Sequence, residues 1–314
     1  MTRGSAMALR HFLDINSLSP QVLRSIIDVA HEMKRVGKEP PQKFRPEGIE
    51  RNVLVMIFEK PSTRTRISFD VAMRQLGGQT IVLNRSDLQL GRGESVSDTA
   101  KVLSRYADAV MLRANAHTTL VELAENSTVP VINGLTDKSH PCQIIADIMT
   151  FEESHGPING QKIAWVGDGN NVAVSWIHAA AAFDFELSIA CPGQMRPGKE
   201  VIDWLGNANA SVTITDDPKS AVCGADCVVT DTWISMGDTD EGYRKQVLGP
   251  YAVDSDLMRS AADGAVFMHC LPAYRGHEVS SEVIDGPQSV VFDEAENRLH
   301  AQKAILCWCF GGIT

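Results

Sequence analysis

Short runs of aliphatic and β-branched residues alternate along this chain with stretches in which apolar residues recur every three or four positions. That alternation predicts repeated βαβ units around parallel sheets. Strand-like runs fall at 53–58, 80–83, 109–112, 129–132, 162–166, 186–190, 211–214, 227–230, 265–268 and 289–292. Between them, 65–76 sets Phe69, Ala72, Met73 and Leu76 on one helical face, and 97–106 opens on a Ser/Asp capping signal. An earlier helix, 20–33, follows Ser19 and carries Val22, Leu23, Ile26, Ile27 and Ala30 as its apolar stripe. Ten strands are too many for one compact unit. A turn-rich stretch at 155–160 ends a long helix that begins after Pro141. The expectation is therefore an α/β chain of two doubly wound lobes, each a parallel sheet flanked by helices. The lobes are expected at 1–153 and 154–293, with a last helical segment at 294–314 packing back on the first.

Composition narrows the function. The 314 residues fit about two domains of ~150 residues. Lys and Arg number 29 against 39 Asp and Glu, a net charge of -10, which argues against general affinity for nucleic acid or an anionic membrane. An anionic ligand must then meet a local basic pocket. Aromatics are only 6%, so stacking of bases or sugars on exposed rings is not favoured. No apolar run approaches the ~20 residues of a spanning helix. The start, Met1 to Met7, lacks the apolar stretch of a secretory signal. Seven cysteines (142, 191, 223, 227, 270, 307, 309) form an odd set without paired CxxC units, which supports neither a zinc site nor a disulfide framework. Reduced thiols and a cytoplasmic location are the expectation.

The strongest chemical signal is 58–69, where a buried strand ends, Pro61 forces a turn, and Ser62, Thr63, Arg64, Thr65 and Arg66 stand at a helix start. Unpaired backbone N–H groups and the positive helix end welcome a phosphate there, hydroxyls add donors, and arginines offer forked ones. Arg113 ends another strand, and His140 and Gln143 stand at a third strand-to-helix junction. Each of these three alone reads as an ordinary surface or capping residue. Their shared place outside the carboxyl ends of parallel strands is what makes a ligand site of them.

In the second half, Gly167-Asp-Gly-Asn-Asn171 ends a strand and opens a helix. It is similar to a dinucleotide fingerprint, but Val172 stands at the third glycine position and no acid ends the next strand, which demotes a nicotinamide enzyme. Asn170 and Asn171 offer amides to a small polar ligand. Asp231 ends a further strand ahead of a Gly-containing loop, where a carboxylate can pair with a ligand ammonium. Cys270 lies at another carboxyl strand end, as nucleophile, ligand-contacting thiol or packing, and Arg298 lies near the start of the last helix.

Together, Ser62-Thr-Arg-Thr-Arg66, Met111-Leu-Arg113, His140-Pro-Cys-Gln143, Gly167-Asp-Gly-Asn-Asn171, Asp231 with Ser235-Met-Gly237, and His269-Cys-Leu-Pro272 resemble the ornithine carbamoyltransferases. The resemblance runs in unbroken order from about Phe12 to Arg298. The Ser-Thr-Arg-Thr-Arg and His-Pro-x-Gln pieces are shared by carbamoyltransferases at large, whereas Ser-Met-Gly and His-Cys-Leu-Pro look specific for ornithine. The resemblance implies a carbamoyl-phosphate lobe and an ornithine lobe, no metal and no organic cofactor, and a homotrimer with active sites at subunit interfaces.

It also implies roles for individual residues. Ser62, Thr63, Arg64, Thr65 and Arg113 would hold carbamoyl phosphate, with His140, Gln143, Cys270, Leu271 and Arg298 completing its pocket. Gln89 looks like the residue lent by a neighbouring subunit. Asn171, Asp231, Ser235 and Met236 would bind ornithine, and Cys270, Arg113 and His140 would serve the chemistry. His277 departs from the family pattern, in which an acid is more frequent at that place. Two other readings stand beside this one: a dehydrogenase using Gly167 to Gly169, and a two-lobed binding protein for phosphate or an amino acid.

Overall fold

The computed structural model describes residues 9–38, 41–88, 93–234 and 240–313. The chain divides into two compact units, one reaching to Ile145 and including the segment from Arg298 onward, the other Ala146–Asn297. The division falls within two helices, α5 and α12 below.

The first unit runs α1 (Pro20–Val36), β1 (Val53–Phe58), α2 (Thr63–Leu76), β2 (Gln79–Asn84), α3 (Val96–Tyr106), β3 (Ala109–Arg113), α4 (His117–Asn126), β4 (Val131–Leu135) and the start of α5 (Pro141–His155). Its sheet is parallel in the order β2-β1-β3-β4. The chain leaves β1 for β2 on one side, then returns to β3 on the other, so the connections diverge above the carboxyl ends of β1 and β3. Open α/β sheets bind ligands at such a switch point. The interior is a cluster that includes Val55, Ile57, Val110, Leu112, Leu120 and Leu123. Each such side chain removed from water contributes about 1.5–3 kcal/mol.

The second unit takes the rest of α5, then β5 (Lys162–Val166), α6 (Asn171–Phe183), β6 (Glu186–Ala190), α7 (Lys199–Leu205), β7 (Val212–Thr215), α8 (Pro218–Val222), β8 (Cys227–Thr230), α9 (Glu241–Leu248), α10 (Ser255–Met258), β9 (Val266–His269), α11 (Ser281–Ile284) and the start of α12 (Val291–Cys309). Its parallel sheet has the order β7-β6-β5-β8-β9, with the switch point at β5 and β8. No helix among the described residues is long and apolar enough to cross a membrane.

The α/β expectation of two doubly wound parallel sheets holds, with β1, β5, β6 and β8 matching their apolar runs end to end. Among the described residues there are nine strands, not ten. The run 289–292 is no strand: Ser289 makes one isolated bridge to Phe267, and α12 begins at Val291. Three β-forming residues in a row mimicked a strand there, but Asp293 and Glu294 in the next turn favour a helix start. Arg298 is consequently eighth in α12, deeper than its distance from the acidic run suggested. The fourth strand is shifted from 129–132 to Val131–Leu135, because Pro130 has no N–H to give the ladder.

Candidate active site

In the first unit, Ser62 caps α2 by accepting the N–H of Thr65 at 3.3 Å. The N–H groups of the first helical residues, at Thr63 and Arg64, have no intrahelical acceptor and carry the positive end of the helix dipole. Thr65 is buried, and its Oγ1 accepts from Arg298 Nη2 at 2.8 Å and from Arg113 Nη1 at a long 3.4 Å. With two guanidinium groups on one hydroxyl oxygen, the single O–H of Thr65 is left to donate elsewhere, towards an acceptor such as a phosphoryl or carbonyl oxygen. Arg298 Nη1 also donates to Gln143 Oε1 at 2.6 Å. Both acceptors are neutral, so these bonds orient the fork without cancelling its charge. The start of α2, the end of β3, the start of α5 and the middle of α12 thus deliver hydroxyl, guanidinium and amide groups to one place.

His140 precedes α5 and accepts the Gln143 N–H on its carbonyl at 3.1 Å. The turn that presents it is tied to β4, since Asn133 Nδ2 donates to Ser139 Oγ at 3.0 Å and Thr136 N to Ser139 O at 3.0 Å. Burial, then the charges of Arg298 and Arg113, hold the imidazole well below its ordinary range, so it is neutral at pH 7. A neutral ring offers one N–H to a developing oxyanion without requiring a counter-charge.

The same shift has a consequence for stability. The unfolded chain takes up a proton at His140 near pH 6.5 while the folded chain resists it. Stability is therefore full above about pH 6.5 and falls as the pH drops towards the lowered folded value, by up to ~1.4 kcal/mol per pH unit for this one group. Melting curves between pH 7.5 and 5 should show a shallower acid loss for His140→Gln than for the parent; equal slopes would remove His140 from this account.

In the second unit, Asn170 caps α6 by accepting from Val172 N at 2.9 Å and Ala173 N at 3.1 Å, while its Nδ2 donates to Asp231 Oδ2 at 2.9 Å. Asp231 follows β8 and is 8% exposed. Its Oδ1 accepts from Thr232 N at 2.7 Å and from the Cys270 thiol at 3.1 Å. The carboxylate is thereby fixed in orientation by three neutral donors. Burial first, then the charges of Asp231 and Glu294, hold the Cys270 thiol well above its usual range. Cys270 is accordingly a protonated donor at neutral pH and a poor nucleophile.

The glycine turn after β5 is filled by its own neighbours. Gly167 lies at φ +131°, and its N–H donates to Ala190 O at 2.9 Å. Gly169 donates to Met195 O at 2.9 Å, and Trp165 Nε1 donates to Asp168 O at 2.9 Å. A Cβ on Gly169 would stand 2.6 Å from Met195 O and 2.7 Å from Pro197 N. In a dinucleotide fold that approach is reserved for the pyrophosphate; here the chain's own 195–197 backbone occupies it. The nicotinamide reading fails on this packing.

The loop after β9 is held from behind. Glu294 Oε2 accepts the His269 N–H at 2.8 Å, and His269 Nδ1 accepts the Leu271 N–H at 2.9 Å. Leu271, at φ +57°, is thus kept in a left-handed conformation that few non-glycine residues adopt. The ligand atoms of Asp231, His269 and Cys270 lie within 4.8 Å of one another, a spacing a soft cation could use. The Cys270 thiol is engaged by Asp231, so chelation would have to displace its proton and break that contact.

Of the residues singled out from the sequence, Thr65, Arg113, Gln143 and Arg298 are joined by hydrogen bonds in the first unit. The charges of Arg298 and Arg113 act on His140, and Ser62, Thr63 and Arg64 stand on the adjoining helix start. In the second unit Asp231 and Cys270 are in contact, Asn171 opens α6, and Leu271 follows Cys270. Gln89, Ser235 and Met236 lie outside the described residues. Asn170, offered by the sequence beside Asn171 as an amide but assigned no role of its own, is the cap of α6 whose second amide atom orients Asp231.

Two sequence models of one family cover the chain: aspartate/ornithine carbamoyltransferase, carbamoyl-P binding domain, over residues 10–153, and the Asp/Orn binding domain of the same family over 159–309. The chain belongs to the aspartate/ornithine carbamoyltransferase family. It is 58% identical over 308 residues to an ornithine carbamoyltransferase of Rhodopseudomonas palustris, covering 98% of this chain and 99% of that one. It is 56% identical to that of Brucella suis over 305 residues, 96% of each. Among solved structures, ornithine carbamoyltransferase from Pyrococcus furiosus matches at a TM-score of 0.90 and 45% identity, over 99% of this chain and 100% of that one. The anabolic enzyme of Campylobacter jejuni matches at 0.89 and 39%, over 96% and 99%.

Proposed function

We propose that this chain transfers the carbamoyl group of carbamoyl phosphate to the δ-amine of L-ornithine, giving L-citrulline and phosphate, as an enzyme of arginine biosynthesis. The observation that carries the reading is the convergence of Arg113 and Arg298 on the Thr65 hydroxyl beside a capped helix start. Ser62, Thr63 and Arg64, with the free N–H groups of that helix start, take the phosphate. Thr65, Arg113 and neutral His140 donate to the carbamoyl oxygen, with Gln143 and Arg298 holding the arrangement together, and Cys270 and Leu271 complete the pocket. Asp231 takes the α-ammonium of ornithine and Asn171 its carboxylate end.

The δ-amine resembles that of lysine, with a reference pKa of ~10.4, and attacks only when neutral. A site that offers Cys270 as an uncharged thiol, and engages Asp231 with the α-ammonium, favours that neutral form. Attack on the carbamoyl carbon builds charge on its oxygen, where each aimed donor is worth roughly 3 kcal/mol. The C–O bond to phosphate then breaks, and the amine proton leaves with the phosphate. No thiol-bound intermediate is needed, and no metal or organic cofactor enters these steps. The resemblance of the sequence motifs further leads us to propose a homotrimer whose sites are completed by Gln89 of a neighbouring subunit, and a cytoplasmic location.

A colorimetric citrulline assay tests the reading. Carbamoyl phosphate with ornithine should turn over, whereas aspartate, putrescine and N-acetylornithine should not; turnover of aspartate in preference to ornithine would overturn the acceptor.

A further inference from the structure

We propose that Arg244 is a positioning residue for the amino-acid acceptor, a two-armed brace that sets the spacing between the carboxyl ends of β5 and β8. The inference rests on the ornithine reading above. Arg244 stands on α9, and its Nε donates to the Trp233 carbonyl at 2.5 Å while its Nη2 pairs with Asp168 Oδ2. The two charged side chains are only 15% and 17% exposed, so this is an enclosed pair and not a solvated surface contact.

The partners at each end are themselves fixed. Asp168 belongs to the tightly packed glycine turn, where Trp165 Nε1 holds its carbonyl at 2.9 Å. Trp233 is two residues beyond Asp231 and is 4% exposed. Asn170 and Asp231 already tie the same two segments together at 2.9 Å. Thr230 Oγ1 also donates to Val166 O at 2.6 Å at the strand ends, so Arg244 adds a further tie beyond the sheet, and ties at several points fix distance and angle together. Asp231 and Asn171 must recognise the two charged ends of one α-amino acid, whose separation is set by covalent geometry, so the angle between their segments decides how well both are met.

The arginine is suited to this role by its shape. Its planar fork sends N–H vectors from two different edges to a carbonyl and a carboxylate at once, which a lysine ammonium on a flexible stem cannot reproduce. Arg244 contacts Trp233 and Asp168, not the acceptor, so its loss should weaken acceptor binding without removing a group from the chemistry.

The test is steady-state kinetics of Arg244→Gln and Arg244→Lys with both substrates varied, alongside calorimetry with carbamoyl phosphate and a melting curve for each protein. Arg244→Gln should raise KM for ornithine about tenfold or more, with kcat within about threefold and KM for carbamoyl phosphate within about twofold, and Arg244→Lys should fall between it and the parent. An unchanged ornithine KM in folded Arg244→Gln overturns the proposal, as does a parallel loss on both substrates and kcat. Should the glutamine variant fail to fold, Arg244→Lys decides: parental ornithine KM overturns the brace. If the parent enzyme itself makes no citrulline, the ornithine reading fails; if it does and the variants keep its ornithine KM, only the brace fails.

Discussion

Arg64→Ala should lose about 10²–10⁴-fold in carbamoyl-phosphate affinity by calorimetry. Arg64 is half-buried on the first turn of α2, beside the N–H groups that a helix start leaves unmatched. Hydrogen bonds between a guanidinium and an anionic oxygen are each worth about 1.5–3 kcal/mol, and a forked pair of them doubles the contribution, while 1.4 kcal/mol corresponds to a factor of ten. The change should spare the fold: the Ser62 cap remains, alanine is a good helix former, and no core side chain is removed. A melting temperature near the parent's combined with undiminished affinity would dismiss the phosphate assignment at this corner.

Asp231→Ala should leave carbamoyl-phosphate binding intact and cost ornithine binding about 10²–10³-fold. Removing one partner of a desolvated charge pair typically costs 2–5 kcal/mol, much of it from the charge left behind. Here the alanine also strands Asn170 Nδ2, Thr232 N and the Cys270 thiol, all of which donate to this carboxylate. Asp231→Asn separates the two effects, since it keeps the shape and loses only the charge. Affinity of both variants for an ornithine analogue equal to that of the parent would take Asp231 out of its role.

Much of this architecture was legible because parallel strands buried on both faces leave long apolar runs. Val53–Phe58 and Lys162–Val166 announce themselves by composition and end where charged or turn residues begin. The anion cradle was legible for a related reason: Pro61, Ser62 and the arginines mark a strand end and a helix start within a few residues, and that junction is local. Where local pattern misled, a single backbone feature was responsible, as when the missing N–H of Pro130 delayed β4 or when acids at 293 and 294 turned a strand-like run into a helix start.

Contacts between residues far apart in the chain were not legible from spacing; the family resemblance grouped Thr65, Arg113, Gln143 and Arg298 but gave none of the bonds among them. That Arg298 reaches Thr65, 233 positions away, or that Arg244 reaches Asp168, 76 away, follows from no spacing rule. The residue types, their order and their places at the carboxyl ends of strands belong to the sequence by itself, because propensity, capping and hydrophobic period act over a few residues. Which of those groups meet through which atoms, that Asn170 serves Asp231, and that the cleft beside Gly169 is filled by 195–197 were decided by the tertiary structure, since packing distances depend on how whole layers close on one another.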